Sequence, residues 1–176
     1  MGFIANIRYL CRKIDAMKEI VHECHYTLYD FDELTPADQD LIKEACEATK
    51  RSYSPYSHFS VGAAVLLDDG TVVTGNNQEN AAFPSGLCAE RTTLFYANAQ
   101  YPDKAVVALA IAARDSEGLT PVPTPPCGAC RQVILETESR FQHPIRILLY
   151  GTQGTYVVEG GIRELLPLVF TGDFLK

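Results

Sequence analysis

The chain has 176 residues, 47% of them hydrophobic and 21% charged, which suits one globular domain with its own core and leaves room for a terminal appendage. No apolar stretch reaches bilayer-spanning length, so no helical membrane span is expected. A net charge of −7, with no run of Lys and Arg interleaved with aromatics, argues against a nucleic-acid polymer as partner and leaves a small neutral or weakly charged substrate open.

At the N-terminus, Gly2-Phe3-Ile4-Ala5-Asn6-Ile7 is apolar but short, lacks a preceding basic region, and runs into Arg8, Arg12 and Lys13. It does not read as a secretory signal, and Asn6 stands where a myristoylation motif wants Ser or Thr. The expected compartment is the reducing cytoplasm, where thiols bind metals or do chemistry more often than they form disulfides. Residues 3–18 read as a short helix with Ile4, Ile7, Leu10, Cys11 and Ile14 on one side. Ile20 to Leu28 reads as a strand with Ile20, Cys24, Tyr26 and Leu28 on one face. Met17 is a candidate true start, which would make residues 1–16 an upstream addition.

Thr35-Pro36-Ala37-Asp38 is a helix start, with Thr as cap, Pro at the first helical position and an acid three residues after the cap. That helix is expected to reach about Ser52, where Tyr53-Ser54-Pro55-Tyr56-Ser57 ends it. Phe59 to Leu67 and Thr71 to Gly75 form a hairpin across Asp68-Asp69-Gly70. Cys88 to Ala99 is a helix, and the continuous apolar run Ala105 to Ala113 is a buried central strand. A loop with Pro121, Pro123, Pro125 and Pro126 delivers Cys127 to a helix that runs to about Arg140. Ile145 to Tyr150 and Thr155 to Val158 pair across Gly151-Thr152-Gln153-Gly154, and a short helix around Ile162 to Leu166 closes the chain. Helices alternating with strands in this order predict an α/β fold, a three-layer α/β/α sandwich with a mixed five-stranded sheet. Residues 35–176 form the expected catalytic domain, and residues 1–34 an N-terminal extension of unassigned role.

Three cysteines stand at helix starts. Cys127-Gly128-Ala129-Cys130 puts two thiols at i and i+3 on one side of a first turn, and Cys88 opens the preceding helix. N–H groups at a helix start favour the thiolate, which is the zinc-binding form. Three protein ligands leave one tetrahedral position open, the pattern of a catalytic site. A C-x-x-C pair by itself also fits a redox dithiol, a four-ligand structural site or two buried cysteines, although a redox pair leaves Cys88-Ala89-Glu90 unexplained. On a helix flank Cys88 and Glu90 diverge by about 200°, so Glu90 suits an acid/base beyond the helix tip better than a paired ligand. An acid stabilising the helix dipole is the plainer reading of the same residue.

Cys88-Ala89-Glu90-Arg91 and Pro126-Cys127-Gly128-Ala129-Cys130-Arg131-Gln132 resemble the two signatures of cytidine deaminases. Tyr53-Ser54-Pro55-Tyr56-Ser57-His58-Phe59-Ser60-Val61-Gly62-Ala63-Ala64, Gly75-Asn76-Asn77-Gln78-Glu79-Asn80-Ala81-Ala82 and Leu165-Leu166-Pro167-Leu168-Val169-Phe170 match the same family in the same order. The resemblance implies Zn2+ on Cys88, Cys127 and Cys130, with Glu90 as proton shuttle. It implies hydrolytic deamination of free cytidine and deoxycytidine to uridine and deoxyuridine, in pyrimidine salvage. It also implies that Asn77 and Glu79 bond the sugar hydroxyls, that Phe59 packs beside the nucleoside, and that Ala89 offers backbone to the pyrimidine edge. Arg91 is expected to hydrogen-bond thiolate sulfur and withdraw charge from a metal centre made electron-rich by three thiolates. Three-cysteine members of the family resemble homotetramers, in which the counterpart of Phe170 covers the base from an adjacent subunit.

Cys11, Cys24 and Cys46 lack ligand spacing and read as packing residues, and His22 and His25 do not make a metal pair on a strand. A polynucleotide or tRNA deaminase would show His in place of Cys88, a basic surface and a helix between the last two strands. A blasticidin-type deaminase shares the cysteines but suits Asn77-x-Glu79-Asn80 less well. A structural zinc domain would require a fourth ligand, for which no convincing Cys or His is spaced.

Overall fold

The computed structural model describes residues 19–175. The expected helix over residues 3–18, Cys11 and Met17 lie outside the described residues. Six strands form one sheet in the order β1-β6-β5-β4-β2-β3. They are β1 (Thr27–Tyr29), β2 (Ser60–Leu67), β3 (Val72–Asn76), β4 (Val106–Arg114), β5 (Arg146–Gly151) and β6 (Gly154–Val158). Among the described residues three α-helices accompany them: α1 (Pro36–Thr49), α2 (Ala89–Gln100) and α3 (Gly128–Phe141). Only β4 and β5 pair in parallel, with α3 crossing between them, so the sheet is mixed as the sequence predicts.

Alternation along the strands sends side chains to two cores. Ala63, Val65, Leu109, Ile111 and Ile147 pack with Leu94 of α2 and Ile134 of α3 on one face. Ala64, Ala108, Ala110, Ala112 and Leu148 pack with Leu41, Ile42 and Ala45 of α1 on the other. The register shift at Leu66/Leu67 explains why Val106 joins the first face although Ala108 faces the second. The three layers follow from this division.

Small residues set how close the helices come. A Cβ on Gly62 would stand 2.1 Å from the Ala45 carbonyl, and one on Gly75 would stand 2.5 Å from Thr93 Oγ1. Glycine at these positions lets α1 and α2 approach the sheet from opposite sides. The Thr35 cap forms as expected: its hydroxyl oxygen accepts from Asp38 N–H at 3.2 Å and donates to the Asp38 carboxylate at 2.7 Å. Asp38 also pairs with Arg146, which bonds Glu159 and so ties the start of α1 to β5.

Three expectations need correction. The sheet has six strands rather than five, because Thr27–Tyr29 adds an edge strand against β6. The strand expected from Ile20 to Leu28 is confined to those last residues, since Ile20 and Val21 are 80% and 72% exposed and have no surface on which to pack. The closing helix is a single 3-10 turn, Ile162–Glu164. Beyond it Leu165, Leu166 and Val169 pack on the first core, while Leu168 and Phe170 stay exposed.

Candidate active site

β3 and β4 run the same way on either side of β2, and the loops after them bring two helix starts to one place. Cys88 and Cys127 are the N-cap residues of α2 and α3, both with extended backbone and neither using its side chain as a cap. Their sulfurs are 3.8 Å apart, and Cys130, in the first turn of α3, stands 3.4 Å from Cys127. All three sulfurs lie within 4.8 Å of one another, the sole such cluster of three or more potential ligands among the described residues. The thiols are free. Ligand bonds of about 2.3 Å in a tetrahedron require sulfur–sulfur separations of about 3.8 Å, so this donor set fits zinc. Cys24 is exposed, and Cys46 lies in the second core with its thiol pushed up to about 11 by burial, so neither joins the cluster.

Electrostatics concentrate negative charge on Cys88. Hydrogen bonding from the Cys130 thiol, joined by Arg91 and Cys127, holds the Cys88 thiol down at about 5. The Cys130 thiol is correspondingly raised, first by its bond to Cys88 and then by burial. Arg91 Nη2 donates to Cys88 Sγ at 3.6 Å from one turn further along α2. Its Nε is buried without a partner, so this guanidinium is committed to the cluster at some desolvation cost. Glu90, beside Cys88, is only 4% exposed, and burial raises its carboxyl above the usual range.

The stretch Asn77-Gln78-Glu79 is clamped between two segments. Tyr53 N–H donates to the Asn77 carbonyl and Glu79 N–H to the Tyr53 carbonyl on one side. Gln78 and Leu87 exchange both backbone bonds at 2.9 Å on the other, which draws Cys88 alongside. Glu79 Oε2 accepts from Tyr56 N–H at 2.8 Å and from Ser57 N–H at 3.3 Å. Bonds from Ser57 and Tyr56 keep its carboxyl below the ordinary range.

A cavity of about 460 Å³ opens between these segments, lined by Asn77, Glu79, Cys88 and Arg91 together with Tyr56 and Phe83. Phe59 is half-buried, Ala89 is fully buried, and Phe170 is 57% exposed and stacked on Phe174 at 5.7 Å; none of the three lines that cavity. Sequence reasoning did not single out Tyr56, Phe83 or Leu87 as cavity residues. Tyr56 and Phe83 meet edge to face at 5.9 Å, and the available signal was two apolar residues in the turn Phe83-Pro84-Ser85-Gly86-Leu87 just before Cys88.

Residues 35–142 match the model for the cytidine and deoxycytidylate deaminase zinc-binding region. A cytidine deaminase of Halalkalibacterium halodurans is 44% identical over 135 residues, covering 77% of this chain and 95% of the relative. One from Sporosarcina psychrophila is 48% identical over 138 residues, covering 78% and 94%. Among solved structures, a cytidine deaminase of Burkholderia pseudomallei superposes with a TM-score of 0.65 at 36% identity, over 78% of this chain and all of that one. The Mycobacterium tuberculosis enzyme gives a TM-score of 0.56 at 33% identity, over 75% and 95%.

Proposed function

The chain belongs to the cytidine and deoxycytidylate deaminase family, and from that premise we propose that it hydrolyses cytidine and deoxycytidine to uridine and deoxyuridine with release of ammonia. The observation that carries this reading is the meeting of three free thiols at two helix starts beside the buried carboxyl of Glu90. Cys88, Cys127 and Cys130 hold zinc, which supplies the Lewis acidity that makes water a nucleophile near neutral pH.

Glu90 does the proton work. Its burial keeps the carboxyl poised above the ordinary range, where it can both accept and return a proton. Glu90 takes one proton from the attacking water and delivers it to ring N3; it then takes the remaining proton from the new C4 hydroxyl and gives it to the amine, so that ammonia leaves as the C4–N bond breaks and the C4 carbonyl forms. Arg91 moderates the charge of the thiolate cluster from its place against Cys88. Glu79 and the free amide hydrogen of Asn77 bind the sugar, Phe59 packs beside the nucleoside, and the Ala89 backbone meets the pyrimidine edge. Phe170, exposed on the surface of its own subunit, covers the base in a neighbour's site within a homotetramer.

Two rival readings have less support. A structural zinc domain needs a fourth ligand, and the cluster among the described residues has three. A polynucleotide deaminase fits poorly with a net charge of −7 and with β5 and β6 antiparallel across a tight turn. The same reading divides the chain into an extension, residues 1–34, and a catalytic domain, residues 35–176, and assigns it to nucleoside salvage in the cytoplasm. Among the described residues no helix is long and apolar enough to cross a membrane.

The deciding assay measures zinc content and then ammonia release from cytidine, deoxycytidine and CMP. Release from both nucleosides and little from CMP is the expected result. Zinc-replete protein inert on both nucleosides would overturn the proposal.

A further inference from the structure

The terminal segment from Ile162 to Phe170 is fastened to α3 at three successive points. Glu138 Oε1 accepts from Ile162 N–H at 2.9 Å, Arg131 Nη1 donates to the Leu165 carbonyl at 2.5 Å, and Gln132 Nε2 donates to the Phe170 carbonyl at 2.8 Å. The segment therefore runs back along α3, from its C-terminal part to the first turn, where Cys127 and Cys130 stand. Of these three side chains, Arg131 also reaches the cysteine loop. Its Nε donates at 2.9 Å to the carbonyl of Pro126, the residue before Cys127.

Helix geometry makes this reach natural. Arg131 is four residues beyond Cys127 and its N–H donates to the Cys127 carbonyl at 2.9 Å, so the two side chains share a face. Long helical side chains lean toward the N-terminus, which carries the guanidinium back over Pro126. The planar fork then serves two carbonyls from separate parts of the chain, which a Lys ammonium, as a point charge on a flexible stem, does not match. Pro126 is buried and Leu165 half-buried, so both acceptors have little water to turn to.

We infer that Arg131 is a positioning residue that sets the Cys127–Cys130 turn through the Pro126 carbonyl and anchors the terminal segment through the Leu165 carbonyl. Metal retention and the order of residues 165–170 are thereby coupled through one side chain. Gln132, which bonds Phe170 alone, acts on the terminal segment only. The inference rests on the reading of the three cysteines as a zinc site. Zinc stoichiometry of the unaltered chain is measured first, and its absence would sink that reading separately.

The test uses the zinc-loaded full chain with Arg131→Met, Arg131→Lys and Gln132→Met. Zinc transfer to an excess of colorimetric chelator is timed, and amide exchange is followed by mass spectrometry at residues 126–130, at 165–170, and at 108–112 in β4. Arg131→Met is expected to weaken zinc retention by about 10–100-fold, the range for groups that orient metal ligands. Exchange should rise in both flanking segments and not in β4. Gln132→Met should raise exchange near Phe170 while zinc transfer keeps the wild-type rate. Arg131→Lys should recover no more than one of the two segments, and it carries both readings should the Met variant fail to fold. Wild-type zinc transfer in Arg131→Met, exchange rising equally in β4, or wild-type behaviour of both segments in Arg131→Lys would each overturn the inference.

Discussion

Asn77 Nδ2 donates to the Phe59 carbonyl at 2.9 Å, while Asn77 Oδ1 accepts from Val61 N–H at 2.7 Å and from the Ser52 hydroxyl at 2.6 Å. A carboxamide offers two N–H donors and an oxygen with two lone pairs, so one N–H is left for a ligand. The side chain proposed to contact the sugar thus also ties the start of β2 to Ser52, just beyond α1. Asn77→Ala should weaken nucleoside binding and, by orphaning Val61 N–H, destabilise the fold by about 1–3 kcal/mol. Glu79→Ala should weaken nucleoside binding without moving the urea midpoint, because the N–H groups that its carboxylate accepts from belong to Tyr56 and Ser57, which are exposed and can turn to water. KM values and urea midpoints check both. Equal losses on a nucleoside and on a sugar-free analogue would remove both residues from the sugar.

Glu90→Gln keeps the shape and burial of the side chain and removes its proton transfer. Turnover should fall by at least about 10²–10⁴-fold, the usual effect of losing a general acid/base, while zinc content stays at the wild-type level. Replacing Cys88, Cys127 or Cys130 with Ala should abolish zinc retention, and Cys46→Ala should not. Metal analysis of the purified variants decides. Near-normal turnover in zinc-replete Glu90→Gln would take the proton work away from this residue.

Arg91→Ala leaves the thiolate cluster more negative, since the guanidinium no longer donates to Cys88. Deprotonation beside a more negative centre is harder, so the acid limb of the pH–rate profile should move to higher pH. A profile that superposes on wild type would make Arg91 a structural residue of α2.

How far the sequence revealed this molecule depends on how local each signal was. The Thr35 cap, the apolar run of β4 and the helix-start cysteines were legible because backbone chemistry within a few residues produces them. Arg91 on Cys88 was legible for the same reason, being one turn away. The double role of Asn77 was not, because its partners Ser52, Phe59 and Val61 come from 16 to 25 positions away and are brought close only by the fold. Thr27–Tyr29 was misjudged in extent because alternation shows which face a strand would bury but not whether anything lies there to bury it.

Glu138 offers a pH test away from the cysteines. It is buried near the end of α3, where Oε1 accepts from Ile145 and Ile162 N–H at 2.9 Å each. Burial holds its carboxyl above the usual range, against the opposing pull of those two N–H groups and of Arg163 and His143. A carboxyl harder to ionise in the folded chain than in the unfolded one has no effect below the unfolded pKa and destabilises progressively as pH rises through the folded value. Glu138→Gln keeps an acceptor oxygen for both N–H groups and cannot ionise. Its stability relative to wild type should therefore improve from about pH 4 toward pH 8, read from urea midpoints across that range. A constant difference would mean that the carboxyl titrates alike in both states.

The last prediction concerns assembly. Phe170 is 57% exposed, stacks on Phe174, and does not line the cavity that Glu79 and Cys88 of the same chain border. An exposed aromatic beside exposed Leu168 and Leu175 is surface that a second subunit would cover. Co-expressing Glu90→Ala with Phe170→Ala chains separates a role across the interface from one within the subunit. If Phe170 acts on a neighbour, mixed assemblies contain sites that join an intact Glu90 to an intact Phe170 from the adjacent chain. Activity per intact Glu90 should then exceed that of the Phe170→Ala protein alone. Proven mixed assembly without any gain would confine Phe170 to its own subunit, because every intact Glu90 would then lie in a chain whose own Phe170 is missing.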